Sequence, residues 1–232
     1  MILQELRKEV LEANLELVKR GLVLYTFGNA SGVDRERGLI VIKPSGVDYD
    51  DLRPEHMVVT DLDGNIVEGT LNPSSDLDTH TLLYREFPTI GAVVHTHSEY
   101  ATSFAQAGLP IPALGTTHAD YFYGPVPCTE PLTDDAIGGR YVHETGLAII
   151  ARFRELSLDP LAVPACLVNG HAPFAWGRTP HDAAHNAVVL EAVARMAYRT
   201  LTLRASADEV SQALLDRHYF RKHGAAATYG QK

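Results

Sequence analysis

The sequence predicts a single α/β domain built on a mixed β-sheet flanked by helices. Three observations lead there. The 232 residues are 45% hydrophobic and 21% charged, enough to bury one sizeable core within the usual length of a single α/β domain. Runs rich in β-branched residues, punctuated by Gly, Pro and Asp, alternate with stretches of helical periodicity. No repeat of fixed period, low-complexity segment or linker divides the chain. A dinucleotide-binding fold is excluded, because no GxGxxG follows the first strand.

Taken in order, residues 1–20 place Leu6, Val10, Ala13, Leu17 and Val18 at helical spacing, and Gly21 ends the pattern. Two β-rich runs follow, GLIVIKPSG (38–46) and HMVVTDLDGNIVEG (56–69), the second with Asp63-Gly64 as a hairpin turn. DLDTHTLLYREF (76–87) reads as a helix with a serine N-cap from Ser74-Ser75 and a stop at Pro88. GAVVHTHS (91–98) and VPACLVNGH (163–171) are further strands, and TTHADYFYGPVP (116–127) is rich in loop signals. Residues 133–156 are helical with a break at Gly138-Gly139. Residues 179–203 form a long helix starting at Thr179 or Pro180, residues 207–224 form another, and the tail 225–232 is expected to be extended.

Charge and cysteine content exclude several classes. A formal charge of −9 argues against sequence-independent nucleic-acid binding, which needs a basic face; an anionic ligand would need a local pocket. No apolar run approaches the roughly 20 residues that span a bilayer, and the first segment is a charged amphipathic helix without a signal-peptide pattern. A cytoplasmic protein is expected, with no membrane partner. Cys128 and Cys166 form no CxxC pair, so neither a disulfide framework nor a cysteine zinc site is indicated, and both are expected as buried small hydrophobes.

The eleven histidines hold the first chemical signal. In AVVHTHS, His95 and His97 stand at i and i+2, which on an extended strand aims both imidazoles at one point. His171, in the loop-like NGHAPF, is the best third ligand, and Asp76 of PSSD could add a carboxylate. Three histidines with an open position are a catalytic zinc arrangement; the same HxH spacing also suits two histidines on a polar sheet face. HDAAH (His181, His185) imitates the zinc-peptidase HExxH with the shorter Asp182 in the glutamate place, but a capped helix N-terminus is the plainer reading.

Three short stretches, GNASG (28–32), KPSG (43–46) and PSSD (73–76), carry the small residues, hydroxyls and free amides of an anion nest, with Lys43 adding a point charge. Each alone reads as an ordinary turn, and only convergence in space would make a site. Asp120 and Tyr229 have the chemistry of a proton acceptor and donor, although spacing does not single them out.

In order and across nearly the whole chain, GNASG, VIKPSGVDY, EGTLNPSSD, VVHTHS, GTTHADYFYG, GHAPFAWG and LLDRHYFRKHG resemble the class II aldolase/adducin-like family, and within it enzymes that epimerise pentulose 5-phosphates. The resemblance implies a mostly antiparallel or mixed sheet with helices on both faces. It implies interconversion of L-ribulose 5-phosphate and D-xylulose 5-phosphate at C4, in arabinose use or another pentose route, by retro-aldol cleavage and reclosure through a metal-stabilised enediolate. A divalent ion is implied, zinc by default with manganese or cobalt as substitutes, in a homotetramer with interfacial active sites. Carried over residue by residue, the metal ligands fall on Asp76, His95, His97 and His171. Proton transfer falls on Asp120 and Tyr229, with His218 a further active-site residue. Phosphate contacts fall on Gly28, Asn29, Lys43, Ser45, Gly46, Ser74 and Ser75, and Arg221 joins the substrate site from near the C-terminus. Phe27 and Ala172 depart from the pattern, standing where tryptophan and glycine are expected. Two rivals stay open: an aldolase that releases both fragments, disfavoured by Asp76 where such aldolases tend to carry a glutamate base, and a non-catalytic module like the adducin head, disfavoured by the three histidines.

Overall fold

The computed structural model describes residues 1–224, 227 and 228. Among these residues seven strands form one sheet: β1 (Asn29–Asp34), β2 (Leu39–Ile42), β3 (Val58–Asp61), β4 (Ile66–Glu68), β5 (Ala92–His95), β6 (Ala165–Leu167) and β7 (Pro173–Gly177). Their order is β4-β3-β2-β1-β5-β7-β6, and each neighbouring pair is antiparallel. Short turns join β1 to β2 and β3 to β4 as hairpins, with Gly64 at φ +84° in the second, as Asp63-Gly64 predicts, whereas residues 43–57 carry the chain from β2 to β3 through two short 3-10 turns, Tyr49–Asp51 and Pro54–His56. The sheet is therefore antiparallel rather than mixed; the parallel bridge between Cys128 and Leu167 lies outside the ladders.

Among the described residues eight α-helices accompany it: α1 (Gln4–Lys19), α2 (Leu77–Glu86), α3 (Glu99–Gln106), α4 (Thr116–Ala119), α5 (Asp134–Gly138), α6 (Tyr141–Glu155), α7 (Pro180–Leu203) and α8 (Gln212–Lys222). Alternation along β1 shows that they cover both faces, because successive side chains of a strand point to opposite sides. Ser31 bonds His80 and Tyr84 of α2, whereas a side chain on Gly32 would meet Leu6 and Val10 of α1. Strand β7 repeats the division. Phe174 and Trp176 pack toward α2 and α6 through His80 and Phe153, and Gly177 lies against the start of α7. Trp176 is fully buried, and its indole N–H donates to Pro160 O at 2.7 Å.

Several sequence expectations need correction. Helix α1 buries Val10, Ala13 and Leu17 as expected but leaves Val18 exposed and buries Asn14, whose amide exchanges bonds with the Ala30 backbone. The cap of α2 is Asp76 rather than a serine; Ser74 Oγ takes the Asp76 N–H at 3.3 Å, while the Asp76 carboxylate is held elsewhere. Helix α8 begins at Gln212, capped by Ser211, because residues 204–210 are not helical. NASGVD is a central strand, EYATSFAQ a helix and PFAWG a strand. Thr179 caps α7 and Pro180 opens it, with Thr179 Oγ1 accepting from Asp182 N at 3.1 Å. Both cysteines are buried and free. Among the described residues no helix is long and apolar enough to cross a membrane. The tail expected to be extended falls mostly outside the described residues.

Candidate metal centre

Strand β5 ends at His95, so His97 lies just beyond it rather than on it. The backbone stays in line because Thr96 N–H still reaches Pro173 O at 3.5 Å, one step past the last β5–β7 pair. His171 is delivered by the turn between β6 and β7, where Gly170 takes φ +70° and His171 N–H donates to Val168 O at 2.9 Å. The three rings meet with centroids 5.0, 4.9 and 5.1 Å apart, and one nitrogen from each lies within 4.8 Å of the others.

His95 shows which nitrogen faces the cluster. Its Nδ1 lies 3.0 Å from Pro173 O; a carbonyl only accepts, so Nδ1 carries the proton and Nε2 presents a lone pair. That Nε2 is 3.2 Å from His97 Nε2, a spacing that wants a proton or cation between the two. Burial pushes all three imidazoles toward the neutral form, His171 to about 4 with help from the charges of His95 and His97. Neutral imidazoles are what a metal needs. Burial would raise the Asp76 carboxyl, but His95, His80, a bond from Asn29 and His171 outweigh it and hold Asp76 ionised. Its Oδ2 accepts from Asn29 Nδ2 at 2.6 Å. Asp76 borders the cluster without belonging to the tight three-histidine group. Three lone pairs and a nearby carboxylate, with His171 Nδ1 buried and unpartnered among the described residues, fit a divalent cation.

The anion-type loops converge on the same place. One cavity of about 470 Å³ is bounded by Gly28, Asn29, Lys43, Ser45, Gly46, Ser74 and Ser75 together with Asp76, His95, His97 and His171. KPSG and PSSD are zipped by Ser74 N–H to Lys43 O at 3.0 Å and Ser45 N–H to Asn72 O at 2.9 Å. Gly28 has φ +105°, and a Cβ there would stand 2.8 Å from His95 O, so the first loop touches the metal strand only as glycine. Lys43 is buried, with Nζ donating to Pro44 O at 3.2 Å and Val47 O at 3.0 Å over the Tyr49 ring. Tyr49 OH donates to Gly28 O at 2.9 Å, tying two loops together.

Residues 8–198 match the class II aldolase and adducin N-terminal domain. The chain belongs to the class II aldolase/adducin family. It is 51% identical over 230 residues, 99% of this chain and 100% of the relative, to L-ribulose-5-phosphate 4-epimerase UlaF of Salmonella paratyphi B, and equally so to that of Salmonella typhi. An L-fuculose 1-phosphate aldolase structure superposes with TM-score 0.75 at 25% identity, covering 94% of this chain and 95% of the other.

In this class II aldolase/adducin chain Asp120, His218 and Arg221 form a second cluster that does not border the histidine cavity. Asp120, at the end of α4, accepts from Arg221 at 2.8 to 3.1 Å and lies 3.0 Å from His218 Nδ1 and 3.5 Å from Lys222 Nζ. Burial works against the Asp120 charge, but the Arg221 and His218 bonds and the Lys222 charge prevail and hold its carboxyl below the usual range. Arg221 thus sits with Asp120 and not with the phosphate loops. Tyr229 lies outside the described residues. His181 and His185 stack on the exposed start of α7 and join no third ligand among the described residues. Tyr49, His80 and Tyr84 went unnoticed in the sequence; a buried aromatic or histidine at helical spacing carries no mark of what it supports.

Proposed function

We propose that this protein is a metal-dependent L-ribulose-5-phosphate 4-epimerase that acts as one catalytic domain over its whole length. One observation carries the reading: three neutral histidines and an ionised aspartate share a single cavity with two serine- and glycine-rich loops. Metal donors and phosphate donors in one cavity suit a small ketose phosphate. Between epimerase and aldolase, identity of 51% to named epimerases against 25% to an aldolase favours the former.

His95, His97, His171 and Asp76 hold a divalent ion, with zinc the natural choice for three imidazoles and manganese or cobalt compatible with the same donors. When bound, that ion supplies Lewis-acid stabilisation of the negative charge that appears on the ketose oxygens as the C3–C4 bond breaks. The protein's own part is to keep the fragments together. Loop amides and the hydroxyls of Ser45, Ser74 and Ser75 grip the phosphate, so the aldehyde turns over its faces while anchored and recombination outruns escape. Asp120 and Tyr229, with His218 beside Asp120, move the proton on and off the aldehyde oxygen from opposite sides. Because the Asp120 cluster lies apart from the cavity within one chain, the site is completed between copies of a cytoplasmic homotetramer. The substrate places the enzyme in pentose phosphate metabolism.

The test is direct. Metal-loaded protein is mixed with L-ribulose 5-phosphate, and D-xylulose 5-phosphate and free dihydroxyacetone are followed beside an EDTA-treated control. Accumulation of the xylulose ester with little dihydroxyacetone, abolished by the chelator, is expected. Accumulating dihydroxyacetone would make the chain an aldolase; neither product would end the sugar-phosphate reading.

A further inference from the structure

Strand β7 sets one side chain against the histidine cluster that the mechanism does not use. Phe174 is fully buried and stands directly opposite His95 in the β5–β7 ladder, so the two side chains leave the sheet side by side. Their rings stack, with centroids 4.3 Å apart and planes 19° from parallel. His95 is held in that stack from its other edge, because Pro173 O, one residue before Phe174, accepts from Nδ1 at 3.0 Å.

The stack is unlike the other contacts around these rings. His80 and His171 also approach Phe174, at 6.1 and 6.4 Å, but their planes cross it at 75° and 73°. Phe27 and Tyr141 lie near His97 and His171 at 6.4 and 5.9 Å; both are tilted and more than a third exposed. A near-parallel stack in a dry site is the contact that responds most to charge. The face of a benzene ring is negative, so it attracts a neighbouring ring that becomes positive, and the attraction is larger where water is excluded. An imidazole becomes positive in this sense when it gives its lone pair to a divalent cation. His95 has that lone pair on Nε2, at the end of the ring that faces His97.

We propose that Phe174 is a positioning residue for the metal centre: its ring face fixes the plane of the His95 imidazole and stabilises the positive charge that this imidazole takes on as a ligand. Pro173 and Phe174 thus support His95 together, one through a carbonyl and the other through a ring. The proposal rests on the reading of His95 as a metal ligand.

The test changes the charge of the ring face while keeping its shape close to that of the parent. Full-length protein carrying mono-, di- or pentafluorinated phenylalanine at position 174 is stripped of metal, and zinc affinity is read by competition with a chelator. Affinity is expected to fall stepwise as fluorine withdraws charge from the face, by about tenfold or more for the pentafluorinated ring, the scale of a desolvated cation–π contact. Urea midpoints of the same metal-free proteins report packing alone. Affinity that stays constant along the series, or that follows the urea midpoint instead of the fluorine content, overturns the proposal. Phe174→Leu, which stays apolar but has no ring face, is expected to bind zinc at least about tenfold more weakly than the parent; parental affinity in that variant also overturns it. If His95→Gln leaves zinc affinity unchanged, the ligand reading itself falls. If His95→Gln weakens zinc while the fluorinated series does not, the role of Phe174 alone falls.

Discussion

At the scale of single residues, the site divides into groups that hold charge and groups that move protons. Asp76 belongs to the first: it is ionised, bonded by Asn29 and set beside three lone-pair donors. Asp76→Asn keeps the shape but removes the negative charge, so metal affinity is expected to fall by about ten- to hundredfold along with activity; unchanged metal content with full turnover would take Asp76 out of the site. In the proposed mechanism Tyr229 belongs to the second group. Tyr229→Phe is expected to leave metal content and thermal stability unchanged while cutting kcat by about a hundredfold or more, the scale of general acid–base assistance. A fully active variant would remove the tail tyrosine from the mechanism. The three histidines that cluster were singled out by AVVHTHS and NGHAPF because imidazole is a common metal ligand. The Tyr49 and His80 supports were not, because their partners lie 21 and 49 residues away in sequence.

At the scale of elements, the start of α7 is where local sequence decides structure most plainly. Thr179 caps the helix through Asp182 N, and Pro180 follows at the first helical position. Thr179→Ala is expected to cost about 1 kcal/mol, read as a lower urea midpoint with an unchanged slope; a midpoint within error of the parent would show that packing against β7 alone sets this helix start. Elements with strong local signals were legible: α1, α6, α7 and the valine-rich strands. Strand β1 was not, because Asn29, Ser31, Gly32 and Asp34 are poor strand formers. Its place is fixed by neighbours instead. It is central, paired with β2 and β5, and Gly32 lets α1 approach where any side chain would meet Leu6 at 2.8 Å. The GNASG stretch therefore serves as both strand and cavity wall, and its turn-like composition shows only the second role.

At the scale of the whole molecule, the sheet sets up the cavity. The β1–β5–β7 order brings Asn29, His95 and Phe174 into one row, and the β6–β7 turn adds His171 to its end. Burial on this scale also makes stability depend on pH through groups remote from that row. His118 is buried, donates Nε2–H to Gly124 O at 2.7 Å, and leaves Nδ1 unpartnered among the described residues. Burial pushes it down to about 4. In the unfolded chain it takes up a proton near pH 6.5, whereas the folded protein resists until about 4. The unfolded state therefore binds more protons in that window, and stability present above pH 6.5 is lost as the pH falls toward 4. The slope approaches about 1.4 kcal/mol per pH unit for one such group. Urea unfolding of the parent and of His118→Gln, which can keep the bond to Gly124 but cannot titrate, isolates this share from that of the other histidines. The parent should lose ground to the variant steadily between pH 6.5 and 4 and no further below. A constant gap across that window would mean that His118 protonates as readily in the fold as outside it, and that the α4 layer opens to water before the rest of the molecule.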